Sequence, residues 1–143
     1  MPLPSTAWNS SWGRYRADSS IRILNGQAKE GEVIIGLTSM DISTTKDSIA
    51  DCGVMGLGFC PGKACVASTF RLSPQYRQVQ LFKVAIHELG HTQDLPHCKD
   101  KTCLMRDAEG SNHINEEKDF CTKCRSVLVK KGWQFDKAGV NKL

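Results

Sequence analysis

Two histidines and a glutamate near the middle of the chain have the types and spacing of a zinc site. They form the pattern HExxH, in which His87 and His91 are four residues apart and Glu88 follows the first of them. On a helix, residues i and i+4 lie on one face, so both imidazoles can reach one ion. Glu88 would project beside the ion, where it can hold a zinc-bound water and accept its proton. Zinc lowers the pKa of such a water toward about 7 and polarises a bound carbonyl group.

A catalytic zinc site needs a third protein ligand and keeps its fourth position open. His97, six residues after His91 and beyond the predicted end of the helix, is the candidate. The alternative is that His87 and His91 are only hydrogen-bonded helical residues. The position of the motif within a buried helix, with a third histidine at a reachable distance, favours the metal site.

Four cysteines near the C-terminus predict a second metal site. Cys98 and Cys103 form one close pair, and Cys121 and Cys124 form another. Four thiolates close a tetrahedral zinc shell with no open position, which makes such a site structural. Two disulfides, free buried thiols or a redox cluster are the alternatives. Because His97 and Cys98 are consecutive, the structural site would fix the position of the third catalytic ligand through the main chain.

The other cysteines and the fourth histidine carry a weaker signal. The total of seven cysteines is odd, so they cannot all form internal disulfides. We interpret Cys52, Cys60 and Cys65 as incidental thiols, with a Cys60–Cys65 disulfide across a turn as the alternative. His113 is interpreted as a surface histidine.

Two predicted helices carry these ligands. The first runs from about residue 73 to residue 93, with Ser73 as N-cap and Pro74 in the first turn. Its apolar residues cover most of its circumference, which is typical of a buried, central helix. Asn115 is the predicted cap of a second helix that ends near residue 131.

The rest of the chain predicts a small sheet. β-branched and apolar runs indicate strands, whereas turn formers and polar stretches indicate loops. Residues 17–25 are predicted to form a short helix, with a strand at residues 21–24 as the alternative. The further assignments are strands at residues 32–37, 53–59 and 64–70, a turn at 60–63, a loop at 38–51 and an irregular segment at 1–16. We expect residues 53–59, which are interrupted by glycines, to be an edge strand.

Composition limits the class of protein. The chain has 143 residues, 40% of them hydrophobic, so we expect residues 1–143 to form a single domain with one core. No apolar run approaches the roughly 18 residues of a transmembrane segment, and no secretory signal is visible at the N-terminus. The net charge is only +4, and the basic pair Lys130 and Lys131 is interpreted as a solvated face. We therefore expect no nucleic-acid partner.

The joint pattern of these residues resembles the archaemetzincins, a family of zinc peptidases in the metzincin clan. The pattern is HExxH, five further residues, His97-Cys98, then Cys103, Met105 and the last cysteine pair. The resemblance extends upstream through residues 54–72 and 14–18. It therefore covers nearly the whole chain.

The resemblance implies a role for each matching position. It implies an α+β, metzincin-like (zincin) domain with a small mixed β-sheet packed on a central active-site helix, followed by a C-terminal helix. It also implies hydrolysis of a peptide or protein substrate and two Zn2+ ions per chain, one catalytic and one structural. The implied set is His87, His91 and His97 at the catalytic zinc, Glu88 as general base, Cys98, Cys103, Cys121 and Cys124 at the structural zinc, and Met105 in the turn beneath the catalytic zinc.

The sequence departs from the family pattern at two points. The family has glycine three residues after the second histidine, and this chain has Asp94, which tolerates a left-handed conformation better than most residues. The family's first strand would precede Pro2, and an upstream segment could also have held a signal sequence. We expect a cytoplasmic protein if the chain is complete and an exported one if such a signal was removed. The rival functions are a zinc-bearing peptide-binding module without activity and a zinc-ribbon-like adaptor.

Overall fold

The computed structural model describes residues 1–135, which form an α+β fold of seven strands and three α-helices. The strands are β1 (Trp8–Asn9), β2 (Arg14–Arg16), β3 (Ile34–Thr38), β4 (Ile42–Lys46), β5 (Ile49–Val54), β6 (Gly56–Gly58) and β7 (Ala64–Ser68). The helices are α1 (Ala17–Gln27), α2 (Arg77–Thr92) and α3 (Thr122–Lys130). Within residues 1–135, no helix combines the length and the apolarity needed to cross a bilayer.

The strands form two sheets that share one segment of chain. One sheet has the order β1-β2-β4-β5 and the other has the order β3-β7-β6. β5 and β6 follow each other with a break at Met55, so this segment supplies an outer strand to each sheet. The predicted single strand at residues 53–59 is therefore wrong in its extent, because the chain changes sheets at Met55. Its C-terminal part, β6, is an edge strand, as predicted.

Helix α1 packs against both sheets and forms the first part of the core with them. Its apolar face, Ala17, Ile21 and Leu24, is at most 2% exposed and packs with Ile42 of β4 and Val66 of β7. Burying a side chain of this kind stabilises the fold by about 1.5–3 kcal/mol. The predicted helix at residues 17–25 is confirmed, the strand alternative is wrong, and the helix continues two residues further than predicted.

Two segments that were predicted to lack regular structure contain strands. β1 and β2 lie within residues 1–16, and β4 and half of β5 lie within residues 38–51. These strands have little apolar alternation; Ser43 and Thr44 are buried polar residues of β4. Ion pairs stabilise them instead, since Arg14 contacts Asp41 and Asp51 at 2.8 Å each. Such pairing is nonlocal and leaves no periodic signal in the sequence.

The helix that carries HExxH begins later than predicted. A 3₁₀ turn occupies Pro74–Tyr76, and the α-helix begins at Arg77 without a side-chain cap from Ser73. Its first turn is open to solvent, with Val79 57% exposed, so the prediction of a helix buried all round is wrong for this turn. The C-terminal half is buried against β6 and β7.

The last helix also differs from its prediction. Asn115 lies in a 3₁₀ turn, Ile114–Glu116, and its side chain accepts a hydrogen bond from Gln80 instead of capping a helix. The chain then extends, and Asp119 forms an isolated bridge with Cys103. α3 therefore begins only after Cys121. The tertiary bridge outweighs the local capping signal.

Candidate metal centres

The structure brings the three predicted histidine ligands together. One ring nitrogen from each of His87, His91 and His97 lies within 4.8 Å of the others. The Nε2 atoms of His87 and His91 are 3.1 Å apart. Zn–N bonds of about 2.0–2.1 Å at a tetrahedral angle require about 3.3 Å between two ligand nitrogens. The three imidazoles therefore fit one zinc ion.

Backbone carbonyls orient the two helical imidazoles. Nδ1 of His87 lies 2.6 Å from the carbonyl oxygen of Leu104, and Nδ1 of His91 lies 2.7 Å from that of Leu95. Each Nδ1–H donates to its carbonyl, which leaves Nε2 with a free lone pair. Burial lowers the pKa of His87 to about 4 and also lowers the pKa of His91. Both rings are therefore neutral at pH 7, as metal ligands must be.

A tight turn after α2 carries the chain back to the third ligand. Asp94 has φ of 72°, so it takes the left-handed conformation that the sequence analysis expected of it. The amide of Leu95 donates to the carbonyl of Gly90 at 3.1 Å, and the amide of Asp94 donates to that of His91 at 2.9 Å. These two bonds form a Schellman motif. His97 reaches the other imidazoles because this turn is preserved without glycine.

Glu88 is buried between α2 and the edge strand. Glu88 is 7% exposed. Its Oε2 lies so close to Gly56 of β6 that a Cβ atom on that glycine would be only 2.7 Å away. Burial raises the pKa of Glu88 to about 8, and the charge of Glu117 acts in the same direction. A dication at the three imidazoles would act in the opposite direction. The carboxyl group is thus held at the sheet edge, on the helix that carries His87 and His91.

Met105 lies beneath the helix, as a core residue. It is 0% exposed, and a Cβ atom on Gly90 would lie only 2.5 Å from its Sδ. Its carbonyl accepts the amide of Cys98 at 2.8 Å. The turn at Leu104 and Met105 therefore contacts the helix and also the residue that follows the third histidine.

The four predicted cysteine ligands also converge. One Sγ from each of Cys98, Cys103, Cys121 and Cys124 lies within 4.8 Å of the others, and the Sγ atoms of Cys98 and Cys121 are 3.7 Å apart. Zn–S bonds of about 2.3 Å in a tetrahedron give an S–S distance of about 3.8 Å. Burial raises the pKa of Cys103 to about 11 and also raises that of Cys124. A bound dication would reverse this effect and hold the thiolates.

The remaining thiols and His113 lie outside both clusters. Cys52, Cys60 and Cys65 are free, so the Cys60–Cys65 disulfide is not formed. Cys60 contacts the carbonyl of Leu95 at 3.5 Å. His113 pairs with Glu116 at 2.9 Å, and its side chain is 37% exposed.

Sequence reasoning missed two acidic residues near the histidine cluster. Glu117 is 7% exposed, and burial raises its pKa to about 7 although Lys83 and Arg106 act against this shift. Asp107 has an Oδ2 atom 3.7 Å from Nδ1 of His97. Neither has a motif-like spacing to HExxH, so no signal in the sequence identifies them.

An α+β fold whose central helix carries HExxH, with a third histidine after a tight turn, defines a zinc metallopeptidase. A family model for Peptidase family M54 matches residues 14–130. The chain belongs to this family, and the resemblance to the archaemetzincins is confirmed.

Curated and solved relatives agree with this assignment. The archaemetzincin of Methanopyrus kandleri is 32% identical over 130 residues, which cover 88% of this chain and 72% of the relative. Its crystal structure superposes with a TM-score of 0.75 at 30% identity and covers 90% of this chain and 71% of that one. The archaemetzincin of Archaeoglobus fulgidus, solved in complex with malonate, has a TM-score of 0.71 at 25% identity, with coverage of 89% and 77%.

Proposed function

We propose that this protein hydrolyses peptide bonds at the centre formed by His87, His91 and His97, with Glu88 as the general base. The observation that carries the proposal is the convergence of three imidazoles within 4.8 Å of one another, with the buried Glu88 directly after the first of them in the chain. Water attacks the carbonyl carbon directly, so no nucleophilic serine or cysteine is required.

Several residues of the chain have separate roles in the proposed reaction. Zinc, when bound, acts as a Lewis acid that polarises the carbonyl group and lowers the pKa of water. The carbonyl oxygens of Leu104 and Leu95 hold the rings of His87 and His91 in the required orientation. Glu88 takes the proton from the attacking water and returns it to the leaving amine.

The substrate is an extended peptide that pairs with β6. This strand is an outer strand of its sheet in the order β3-β7-β6, and Gly56 lies against the carboxyl group of Glu88. Main-chain hydrogen bonds to an open edge align a peptide without regard to its side chains. Such pairing would bring the scissile bond past the histidine cluster.

The second ion is structural. Four thiolates complete the coordination shell of Cys98, Cys103, Cys121 and Cys124, so no position remains for substrate. The site ties the segment after α2 to α3 and stabilises the fold. We therefore propose two zinc ions per chain.

Substitution of the general base tests the activity. Glu88→Gln should lower the rate of cleavage of a peptide library by about 10²–10⁴-fold, because proton transfer from the attacking water is lost. Zinc content, measured by elemental analysis, should remain at two ions per chain. Glu30→Gln, at an exposed position outside both candidate metal clusters, is the control and should cleave like the wild type.

The outcomes separate the rival functions. Equal background cleavage by wild type and Glu88→Gln, with both ions present, would overturn the peptidase and indicate a zinc-bearing binding module. One ion per chain, bound by thiolates alone, would instead indicate a zinc-ribbon-like adaptor.

A further inference from the structure

The third histidine is oriented differently from the other two. His87 and His91 are buried or half-buried and donate to backbone carbonyls. The side chain of His97 is 48% exposed, and the polar group that faces its Nδ1 within residues 1–135 is the carboxylate of Asp107, at 3.7 Å. A side chain, instead of a backbone carbonyl, thus faces Nδ1 of this ring.

The carboxylate of Asp107 is itself held in place. Its Oδ1 accepts the backbone amide of Glu109 at 3.0 Å. Glu109 and Gly110 follow with φ of 54° and 79°, so the chain turns tightly at this point. This turn fixes one carboxylate oxygen and leaves the other, Oδ2, directed at His97.

A main-chain bridge joins the two segments that carry these residues. Cys98 and Arg106 form an isolated parallel bridge, and the amide of Cys98 donates to the carbonyl of Met105. The neighbours of this bridge, His97 and Asp107, therefore lie on adjacent segments. Because the bridge is parallel, His97 and Asp107 lie on opposite sides of it, and the 3.7 Å contact is made by their side chains.

We propose that Asp107 is the positioning residue of the third metal ligand: its Oδ2 accepts the Nδ1–H of His97 and so keeps Nε2 free for the ion. A carboxylate behind a histidine ligand fixes the tautomer and raises the basicity of the ring. The 3.7 Å separation is longer than a hydrogen bond, so the proposed bond requires the exposed ring and the carboxylate to move closer together. The inference rests on the proposed function, because it requires His97 as a ligand.

Asp107→Asn is the discriminating variant. The amide keeps an oxygen for the backbone N–H of Glu109 and turns a donor toward His97, so the loop is retained while the acceptor is lost. Glu109→Gln is the matched control, since it removes one negative charge from the same exposed loop. Both variants are made in the full chain.

Two readouts test the proposal. The first is the zinc affinity of the histidine site, measured by competition with a fluorescent chelator; cobalt(II) thiolate absorption reports the cysteine site separately. The second is the tautomer of His97 in the metal-free chain, read from ¹H–¹⁵N correlation spectra. We expect Asp107→Asn to weaken zinc binding about 10–100-fold and to move the proton of His97 from Nδ1 to Nε2, with Glu109→Gln unchanged.

A match between Asp107→Asn and the control in either readout would overturn the proposal. If the wild type binds zinc only at the cysteine site, the proposed function fails. If it binds zinc at both sites and Asp107→Asn binds equally well, only the role of Asp107 is rejected.

Discussion

The chain on the two sides of helix α2 is stabilised in two different ways. Residues 1–72 contain all seven strands and α1, and their core is aliphatic, as in the packing of Ile21, Leu24 and Ile42. Residues 93–135 contain one α-helix of nine residues and two isolated bridges. Their core includes Cys103 and Cys124 beside ordinary apolar side chains.

The difference indicates what the cysteine site does for the fold. Where hydrogen-bonded ladders are few, a metal ion held by four thiolates would supply the cross-links that sheets supply elsewhere. The histidine site lies at the junction, because α2 gives His87 and His91 while the cysteine-bearing side gives His97. Catalysis would therefore depend on both modes of stabilisation.

The largest effect should come from loss of a cysteine ligand. Cys124→Ser should remove the structural ion, whose binding contributes about 10–16 kcal/mol in small zinc domains. We expect hydrogen exchange to accelerate across residues 93–135 much more than across residues 1–72, and zinc occupancy at the histidine site to fall. Cys52→Ser, outside both clusters, is the control. Equal acceleration of hydrogen exchange in residues 1–72 and 93–135 would contradict the proposed difference in how the two segments are stabilised. Unchanged zinc occupancy at the histidine site in a folded variant would contradict the coupling of the two sites.

An intermediate effect is expected at the junction. Gly90→Ala would place Cβ 2.5 Å from Sδ of the buried Met105, and such overpacking lowers the free energy of unfolding by about 1–3 kcal/mol. Denaturant-induced unfolding of the zinc-loaded protein measures this loss of stability. Gly26→Ala in α1 is the control, because a Cβ there meets nothing within 4 Å and should stabilise by about 0.5–1 kcal/mol. Equal stability of the two variants would show that Met105 is not rigidly packed against the helix.

The smallest effect is expected for the ion pairs within residues 1–72. Burial pushes the pKa of Asp41 upward, but hydrogen bonds from Arg71 and Arg14 outweigh it and leave the pKa lowered. A lowered folded-state pKa gives stability above the unfolded value, about 3.9, that is lost as pH falls through the folded-state pKa. Asp41→Asn should therefore destabilise by up to about 1 kcal/mol at pH 7.

The pH dependence distinguishes this effect from a loss of packing. The difference between Asp41→Asn and wild type should shrink as the pH falls below about 3.9, because the carboxyl group of the unfolded wild type then gains a proton while the folded one, with its lowered pKa, is still ionised. Thermal unfolding from pH 7 to pH 3 measures it, with the exposed Asp47→Asn as control. A difference that persists undiminished at pH 3 would rule out the ion pairs as its source.

Local patterns in the sequence predicted the elements that carry strong local signals. Helix α1, strands β3 and β7 and the buried half of α2 follow from helix start and stop signals and from short apolar runs. The residues of the two candidate ligand clusters were also predicted, since imidazole and thiolate pairs at helical or turn spacing have few other uses. These signals depend on neighbours within a few residues.

Nonlocal contacts left no comparable signal. The polar strands β4 and β5 are joined to β2 by nonlocal contacts, which include the main-chain pairing of β2 with β4 and the ion pairs of Arg14 with Asp41 and Asp51. α3 begins late because Asp119 pairs with Cys103. In both cases a partner more than ten residues away outweighed the local propensity of the segment.

By itself, the sequence determined the donor atoms: which imidazoles, thiols and carboxyl group are available, and in what order. Only the tertiary structure decided how those atoms are oriented. The carbonyl of Leu104 behind His87, the packing of Gly56 against Glu88 and the carboxylate of Asp107 behind His97 come from separate parts of the chain. Ligand identity is a property of single residues, whereas orientation is a property of the contacts around them, and those exist only once the chain has folded.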